Sequence, residues 1–159
     1  MIPLLRRNLL AALALSTGLM ACSGNSDTTT APTIEATTFA SALGIDLAAS
    51  TKTPSGVYYR DMTVGTGATV TNGQQLSVRY TGWLADGTQF DSNVSGSLLV
   101  FRLGAREVID GWDLGIPGMK VGGRRQLIIP PARGYGAAGS GSIPPNAILV
   151  FVVDVLSAQ

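Results

Sequence analysis

Few residue types in this sequence could take part in covalent or acid-base chemistry. Its 159 residues include no histidine and a single cysteine, Cys22, close to the N-terminus. The chain therefore cannot form a nucleophile activated by histidine, and it offers few ligands for zinc. The acidic residues are scattered, without the spacing of a calcium-binding loop. We expect no metal and no cofactor, so aromatic and apolar side chains are the main candidates for a functional site.

The most distinctive aromatic residue is Trp112, in the strongly apolar stretch Glu107–Gly122. Gly111, Gly115 and a Pro-Gly pair interrupt this stretch, which leaves room for one or two helical turns. Trp112 follows Ile109 by three residues, so the two share one face of that short helix. From spacing alone, Trp112 could belong to a hydrophobic core or form part of an apolar pocket.

The other candidates also have structural explanations. Tyr80 and Phe151 fall on predicted strands, where an aromatic side chain is commonly part of the core. Asp91 could be a turn residue that bonds to its own backbone, and Glu107 could be a carboxylate at a helix N-terminus. Tyr135 lies between two glycines in a loop, where a core role is harder to explain.

The elements that position these residues are mostly strands. Alternating apolar residues and the turn signals Asn72-Gly73 and Asp86-Gly87 favour hairpins. The predicted strands are 57–63, 75–84, 88–90, 98–103, 124–129 and 148–156. Five or six antiparallel strands with one short helix predict an α+β fold, arranged as a half-barrel.

The first 21 residues have the pattern of a signal peptide. Two arginines precede an apolar run of about a dozen residues, whereas a membrane-spanning helix needs roughly 20. The run ends in Leu-Met-Ala-Cys at Cys22, which resembles the bacterial lipobox, although Met20 is less usual there. A lone cysteine cannot form an internal disulfide. We expect cleavage before Cys22 and its lipidation; the alternative is an ordinary secretory signal with an incidental cysteine.

The residues after Cys22 suggest a location and a domain organisation. Ser23, in place of aspartate, resembles the sorting signal of outer-membrane lipoproteins, so we expect a lipid anchor at the periplasmic face of the outer membrane of a bacterial cell envelope. The polar residues 23–33 predict a flexible linker. Apolar residues then recur every four positions over 39–47, which predicts a short helix that docks on the domain or remains a mobile spacer. The predicted units are a signal peptide (1–21), a lipidated linker (22–50) and a globular domain (51–159).

Four blocks of the globular domain, in order, resemble the FKBP family of peptidyl-prolyl cis/trans isomerases. They are Val78-Arg79-Tyr80-Thr81-Gly82 followed by Asp86-Gly87 and Phe90-Asp91-Ser92; Glu107-Val108-Ile109-x-Gly111-Trp112; Gly134-Tyr135-Gly136; and Ile143-Pro144-Pro145-Asn146 before Leu149-Val150-Phe151. Each block is weak alone, whereas their common order and spacing over residues 53–157 is specific. The resemblance implies an FKBP-like antiparallel half-barrel of five to six strands wrapped around one short α-helix.

The resemblance also implies an enzyme that accelerates rotation about X-Pro bonds. The barrier, about 18–20 kcal/mol, comes from lost amide resonance, so no covalent or acid-base step is required. A catalyst must bind the twisted amide more tightly than the planar one. Shape, desolvation and one or two hydrogen bonds can supply this difference in a chain without histidine.

Ten site residues follow from the resemblance. The catalytic residues would be Tyr80, Phe90, Asp91, Trp112 and Tyr135. The substrate-binding residues would be Val108, Ile109, Ile143, Phe151 and Leu99. Trp112 would form the floor for the proline ring, Tyr135 would donate its hydroxyl to the carbonyl before proline, and Ile109 would offer its backbone N–H. Asp91 would hold polar contacts at the rim, and Ile143 would close the lip.

The sequence departs from the family pattern between Phe90 and Phe101. This segment is a residue shorter, lacks a frequent basic residue, and has Leu99 in place of a frequent aromatic. These changes bear on substrate preference and inhibitor affinity more than on activity.

The resemblance implies that the partners are proline-containing polypeptides and rapamycin-class macrolides, and that the protein is a monomer. No basic surface suggests nucleic acid, since nine basic residues remain against ten acidic ones without Arg6 and Arg7. The alternatives are a proline-peptide-binding chaperone or interaction module with little turnover, and a surface lipoprotein for adhesion.

Overall fold

The computed structural model describes residues 31–159, in which one antiparallel sheet of seven strands packs against one α-helix. The helix is α1 (Asp110–Gly115). The strands are β1 (Thr51–Lys52), β2 (Tyr58–Thr63), β3 (Gln75–Leu84), β4 (Gln89–Ser92), β5 (Leu99–Arg102), β6 (Arg124–Ile129) and β7 (Leu149–Ala158). The predicted α+β class is confirmed. The additional strand is β1, which at two residues is too short to give a periodic signal.

The strand order is β1-β2-β6-β7-β3-β4, and β5 also pairs with β3. Strand β7 lies inside the sheet, with Phe151 opposite Leu127 on one side and Gly82 on the other. Its continuous apolar run, 149–153, is buried throughout. Side chains alternate along a strand, so Phe151 faces α1 while Val150 faces the opposite side of the sheet. The sheet therefore has two apolar faces, and we call the face towards α1 the inner face.

Gly111 and Gly115 lie within α1 and allow it to approach β6 closely. A Cβ atom at Gly111 would overlap the side chain of Ile129, and one at Gly115 would lie 2.8 Å from Leu127 Cδ2. The glycines that limit helix propensity are thus the positions where the helix touches the sheet. The helix ends at Gly115, before the Pro-Gly pair, and one or two turns are present as predicted.

Arg125 on β6 fixes the C-terminal end of α1. Its side chain is buried, and its Nη1 donates to the carbonyl oxygens of Gly115 at 2.8 Å and Pro117 at 3.3 Å. Its Nε and Nη2 donate to the two carboxylate oxygens of Asp61 at 2.6 and 2.9 Å. The guanidinium also lies over the ring of Tyr59, 4.2 Å from its centroid. This residue therefore joins the helix that carries Trp112 to the sheet.

The segment before β1 packs on the outer face of the sheet. The residues that form this second apolar cluster are Ile34, Phe39, Leu43, Ile45, Leu47, Tyr58, Ile128, Ile148 and Val150. Gln126 Nε2 donates to the carbonyl of Leu43 at 2.8 Å, and Ala40 N–H donates to the carbonyl of Ala85 at 2.9 Å. Of the two expectations for residues 39–47, the structure has the docked one, but with only a 3-10 turn (Ser41–Leu43). The packed unit begins at Ile34, ahead of the expected boundary at 51.

The predictions for the signal peptide, the linker up to residue 30 and Cys22 concern residues outside the described range. Within residues 31–159, no helix has both the length and the apolar character needed to cross a membrane.

Candidate functional site

A cleft of about 200 Å³ opens between the N-terminal end of α1 and the inner face of the sheet. It is lined by Tyr80, Asp91, Leu99, Glu107, Val108, Ile109, Trp112, Tyr135 and Phe151. The cleft thus brings together all the site residues expected from sequence except Phe90 and Ile143. Strands β3, β4, β5 and β7, the start of α1 and the loop after β6 all contribute.

The floor of the cleft is aromatic and rigidly packed. The Trp112 side chain is 3% exposed, and its ring meets Tyr80 and Phe151 edge to face, with centroids 5.1 and 5.3 Å apart. Phe101 lies behind it at 5.7 Å. Such packing holds an apolar surface of fixed shape, of the kind that a proline ring can cover. The indole Nε1 is buried without a hydrogen-bond acceptor among residues 31–159.

Tyr80 and Asp91 form a hydrogen-bonded pair at the side of the cleft. Tyr80 Oη donates to Asp91 Oδ2 at 2.7 Å, and the backbone N–H of Ser92 donates to Asp91 Oδ1 at 2.8 Å. Burial, followed by the bond to Asp91, raises the pKa of Tyr80 well above its ordinary value. Asp91 therefore makes the expected hydrogen bond to nearby backbone, and the Tyr80 hydroxyl also fixes the orientation of its carboxylate in the cleft.

Tyr135 occupies its place because of the glycines on both sides of it. A Cβ atom at Gly134 would lie 2.9 Å from Leu149 Cδ1, and Gly136 has a φ of +59°, which favours glycine. The Tyr135 side chain is 37% exposed, and its hydroxyl makes no hydrogen bond within residues 31–159. Burial and then the charge of Asp91 raise its pKa, so the phenol is protonated at neutral pH and can donate to a ligand.

Ile109 presents an unused backbone donor at the entrance to α1. It is the N-cap residue, with extended backbone angles, and its carbonyl accepts the N–H of Trp112 at 2.9 Å. Its own N–H makes no hydrogen bond in the described part of the chain. The cleft therefore offers this N–H and the Tyr135 hydroxyl as donors beside an apolar floor.

Phe90 and Ile143 lie beside the cleft and do not line it, unlike the expectation from sequence. The ring of Phe90 stacks edge to face on Phe151, with centroids 5.4 Å apart, and so supports the wall from behind. Ile143 is buried in the inner core, where its backbone exchanges hydrogen bonds with Ser140 at 2.8 and 3.0 Å. The Ile143 side chain belongs to the same apolar cluster as Trp112 and Phe151.

Glu107 lines the cleft although the sequence analysis gave it no role there. Its Oε2 accepts the backbone N–H of Arg102 at 2.9 Å, which joins the end of β5 to the segment before α1. Its place directly before Val108 and Ile109, both assigned to the cleft, is the signal that could have identified it.

Comparison with known proteins agrees with this geometry. The family profile described as FKBP-type peptidyl-prolyl cis-trans isomerase matches residues 67–156. A protein of Neisseria meningitidis named FK506-binding protein is 47% identical over 103 residues, covering 65% of this chain and 94% of that protein. FK506-binding protein 4 of Rhizopus delemar is 52% identical over 110 residues, covering 69% of this chain. This chain spans only 29% of the length of the Rhizopus protein.

Solved structures give the same result. The crystal structure of AtFKBP13 superposes with a TM-score of 0.65 at 39% identity, covering 69% of this chain and 98% of that one. That of FkpA from Escherichia coli has a TM-score of 0.65 at 38% identity, covering 70% of this chain and 52% of that one. The profile match, the relatives and the fold agree that this chain belongs to the FKBP-type peptidyl-prolyl cis-trans isomerase family.

Proposed function

We propose that this protein catalyses cis/trans rotation about X-Pro bonds in polypeptides. The observation that carries the proposal is a single cleft in which an aromatic floor lies beside two unused hydrogen-bond donors, the Ile109 N–H and the Tyr135 hydroxyl. Membership of the isomerase family and the FK506-binding names of its relatives support it. Rapamycin-class macrolides are then expected to compete for the same cleft.

The chemistry requires only that the cleft favour the twisted amide. The proline ring would rest on Trp112, whose fixed contacts to Tyr80 and Phe151 keep the floor in place. In the twisted state the carbonyl before proline loses its conjugation with nitrogen and turns away from the plane of the ring. The Tyr135 hydroxyl can donate a hydrogen bond to that carbonyl, while the Ile109 N–H donates to a neighbouring carbonyl of the substrate. Each tenfold acceleration needs about 1.4 kcal/mol of this differential binding.

A direct test follows the isomerisation of Leu-Pro and Phe-Pro peptides by the purified protein. Acceleration proportional to protein concentration, and inhibition by rapamycin, is the expected result. Acceleration without inhibition by rapamycin would support the isomerase activity and contradict the expected binding of macrolides. A folded protein that leaves the uncatalysed rate unchanged would contradict the proposal and favour a proline-peptide-binding chaperone or interaction module.

We also propose that a lipid on Cys22 holds the protein at the periplasmic face of the outer membrane as a monomer. The lipobox-like Leu-Met-Ala-Cys pattern supports the anchor. Ile34 packs on the outer face of the sheet, so the chain reaches the domain on the side opposite the cleft. An anchor on that side would leave the cleft open to polypeptides of the envelope.

The anchor is tested by cell fractionation of the Cys22→Ser variant. The variant should move to the soluble fraction, and globomycin should block processing of the unmodified protein. A Cys22→Ser protein that remains in the membrane fraction would contradict the lipid anchor.

A further inference from the structure

The segment before β1 covers only part of the outer face of the sheet. Beside this segment lies a groove of about 200 Å³, separate from the proline cleft. Trp83 on β3 lies opposite Val150 of β7, which faces outward, so the half-buried indole ring also lies on the outer face. The groove is largely apolar, and the residues that line it are Ala42, Leu43, Met62, Trp83, Gly87, Gln126, Val150 and Val152.

Apolar side chains continue across the outer face beyond the groove. Met62 on β2, Val100 on β5 and Leu156 on β7 are 48%, 50% and 45% exposed. Val100 and Leu156 alternate with Phe101 and Val155 of the inner core, so both side chains point outward. Single exposed apolar residues are common on protein surfaces. These three, however, share one face of the sheet with the tryptophan of the groove.

Arginines accompany the apolar residues on the same face. Asp154 on β7 lies opposite Arg124 of β6 on one side and Arg79 of β3 on the other. Within residues 31–159 its one ion pair is with Arg124, at 3.5 Å, and the Arg124 side chain is half exposed. Arg102 follows Val100 by two residues on β5 and so shares its face. Three arginines and one carboxylate, together with Met62, Trp83, Val100 and Leu156, form what we call the open outer face.

The rest of the outer side adds no net charge. Lys52 pairs with Glu35. Arg60 donates to the carbonyl of Gly44, in a segment that also contains Asp46. The positive charge of the outer side therefore belongs to the open outer face.

The side of the molecule that carries the cleft and α1 is acidic. Its carboxylates are Asp91, Glu107, Asp110 and Asp113, and its cations are Arg106 and Arg133. The other charges described are the neutral pair of Arg125 with Asp61, and one residue of each sign in loops, Lys120 and Asp86. Basic and acidic residues nearly balance in the sequence, yet the fold places the positive charge on one side and the negative charge on the other.

The chain also enters the domain on the positive side. Ile34 packs in the outer apolar cluster, and Cys22 precedes it by twelve residues. Twelve residues span about 40 Å at full extension, and a domain of this size has a radius of gyration of about 14 Å. A lipid on Cys22 could thus reach a membrane beside the outer face easily. Contact of the membrane with the cleft side would need the chain at nearly its full length.

We propose that the open outer face binds the surface of an anionic phospholipid bilayer. Its arginines would lie among the headgroup phosphates, while Trp83 and the aliphatic side chains would enter the boundary between headgroups and acyl chains. The acidic side would turn away from the membrane, which leaves the cleft free for polypeptides. The proposal goes beyond isomerase activity and does not depend on it. It takes only the side of the anchor from the proposed lipidation of Cys22.

The two tryptophans of the chain make this orientation measurable, because Trp83 lies on the outer face and Trp112 on the inner face. Residues 22–159 contain the whole packed unit and omit the apolar stretch before Cys22, which would itself bind lipid. The single cysteine is coupled to a maleimide lipid in vesicles of phosphatidylglycerol and phosphatidylcholine, so that tethering does not depend on lipidation in the cell. The phosphatidylcholine carries bromine on its acyl chains near the headgroup, which quenches tryptophan fluorescence on contact.

Each tryptophan is observed alone in a variant that lacks the other. In Trp112→Phe and Trp83→Phe at low salt, the vesicles should quench Trp83 several-fold more than Trp112. Quenching of Trp83 should fall at about 0.5 M salt, where the Debye length is only a few ångströms. If Trp112→Phe does not fold, subtraction of the Trp83→Phe signal from that of the unmodified chain gives the same contrast.

Matched arginine variants assign the contact to one side of the molecule. Arg102→Gln and Arg124→Gln each remove a cation from the open outer face, and each should lower the ratio of docked to undocked protein by up to about five-fold. Arg106→Gln and Arg133→Gln remove a cation from the acidic side and should leave the ratio unchanged. Equal effects of the two pairs would overturn the role of the outer arginines.

Other outcomes decide between occupants of this face. No quenching of Trp83, or equal quenching of both tryptophans, would overturn the proposal. Equal quenching of Trp83 in vesicles of phosphatidylcholine alone would overturn the choice of an anionic lipid. A dimer seen by light scattering without vesicles, and weakened by Trp83→Phe, would assign the face to a second copy and also overturn the proposal. Selective quenching of Trp83 without peptide isomerisation would contradict the proposed function alone.

Discussion

The hydroxyl of Tyr80 donates to Asp91 Oδ2 at 2.7 Å and so joins β3 to β4 at the wall of the cleft. The ring of Tyr80 also packs edge to face against Trp112, 5.1 Å between centroids. One residue therefore fixes both the apolar floor and the polar rim. This coupling means that loss of the hydroxyl alone should alter the rim while the floor keeps its shape.

The Tyr80→Phe variant tests this coupling. We expect kcat/KM to fall about three- to ten-fold, because Asp91 loses a donor worth roughly 0.5–1.5 kcal/mol and can rotate away from its bound orientation. The free energy of unfolding should change by about 1 kcal/mol or less, as measured by urea denaturation. Tyr59→Phe, at a ring covered by Arg125 away from the cleft, is the control. Equal losses of activity in both variants would contradict the role of the Tyr80 hydroxyl.

Tyr135→Phe removes the donor assigned to the carbonyl before proline. Its ring contacts remain, and the hydroxyl has no partner within residues 31–159, so stability should be unchanged. We expect kcat to fall about ten-fold with a smaller change in KM, as for a bond made mainly in the transition state. Steady-state kinetics on a Leu-Pro peptide give the two parameters. A rise in KM at constant kcat would instead place the hydroxyl in ground-state binding.

The activity should be nearly independent of pH around neutrality. The chain has no histidine, and burial raises the pKa of both Tyr80 and Tyr135 above the ordinary value of about 10. A raised folded-state pKa stabilises the protein fully below the unfolded value, and this contribution is lost as pH rises through the higher folded value. We expect constant kcat/KM from about pH 6 to about pH 9 and a melting temperature that falls above about pH 10.

A bell-shaped profile centred near pH 7 would contradict this expectation, because it would require a catalytic acid or base. The fall in melting temperature above pH 10 should be smaller in Tyr80→Phe, which lacks one of the three phenols with a raised pKa, those of Tyr58, Tyr80 and Tyr135. Buffers of matched ionic strength separate titration from salt effects on the rim.

The neighbouring arginines of β6 provide a matched pair for the link between helix and sheet. Arg125→Ala leaves the partly exposed Asp61 carboxylate and two carbonyl oxygens without their donor, and the loss of these hydrogen bonds should cost about 2–3 kcal/mol. Arg124→Ala removes only an exposed contact to Asp154 at 3.5 Å, which should cost less than about 1 kcal/mol. Urea denaturation measures both values. Similar losses in the two variants would show that Arg125 does not hold the end of α1.

Much of the sheet could be predicted because its signals are local. Asn72-Gly73 precedes β3, and the apolar run from Leu149 to Val153 indicates a strand buried on both faces. The residues of the cleft could be predicted from the sequence only because several motifs follow one another in the order found in the family. Tyr80 and Phe151 are far apart in sequence, and nothing in their local patterns indicates that both rings meet Trp112.

The remaining features depend on tertiary contacts. The segment after Ile34 has helical spacing, yet it follows the apolar outer face of the sheet and forms only a 3-10 turn. Gly111 lowers helix propensity in isolation, but packing against Ile129 requires a residue without a side chain there. Ile143 precedes two prolines at an apparent lip, and its turn with Ser140 places it in the core.

The most direct test of the central claim is exchange spectroscopy by NMR on a proline peptide at equilibrium with a small amount of the protein. It measures the rate of cis/trans exchange and, from shifts of protein signals, whether the peptide occupies the cleft. The account predicts exchange that rises with protein concentration, with shifts at Trp112 and Tyr135, and a lower rate at equal occupancy in Tyr135→Phe. Shifts at these residues without faster exchange would contradict it and identify a binding module.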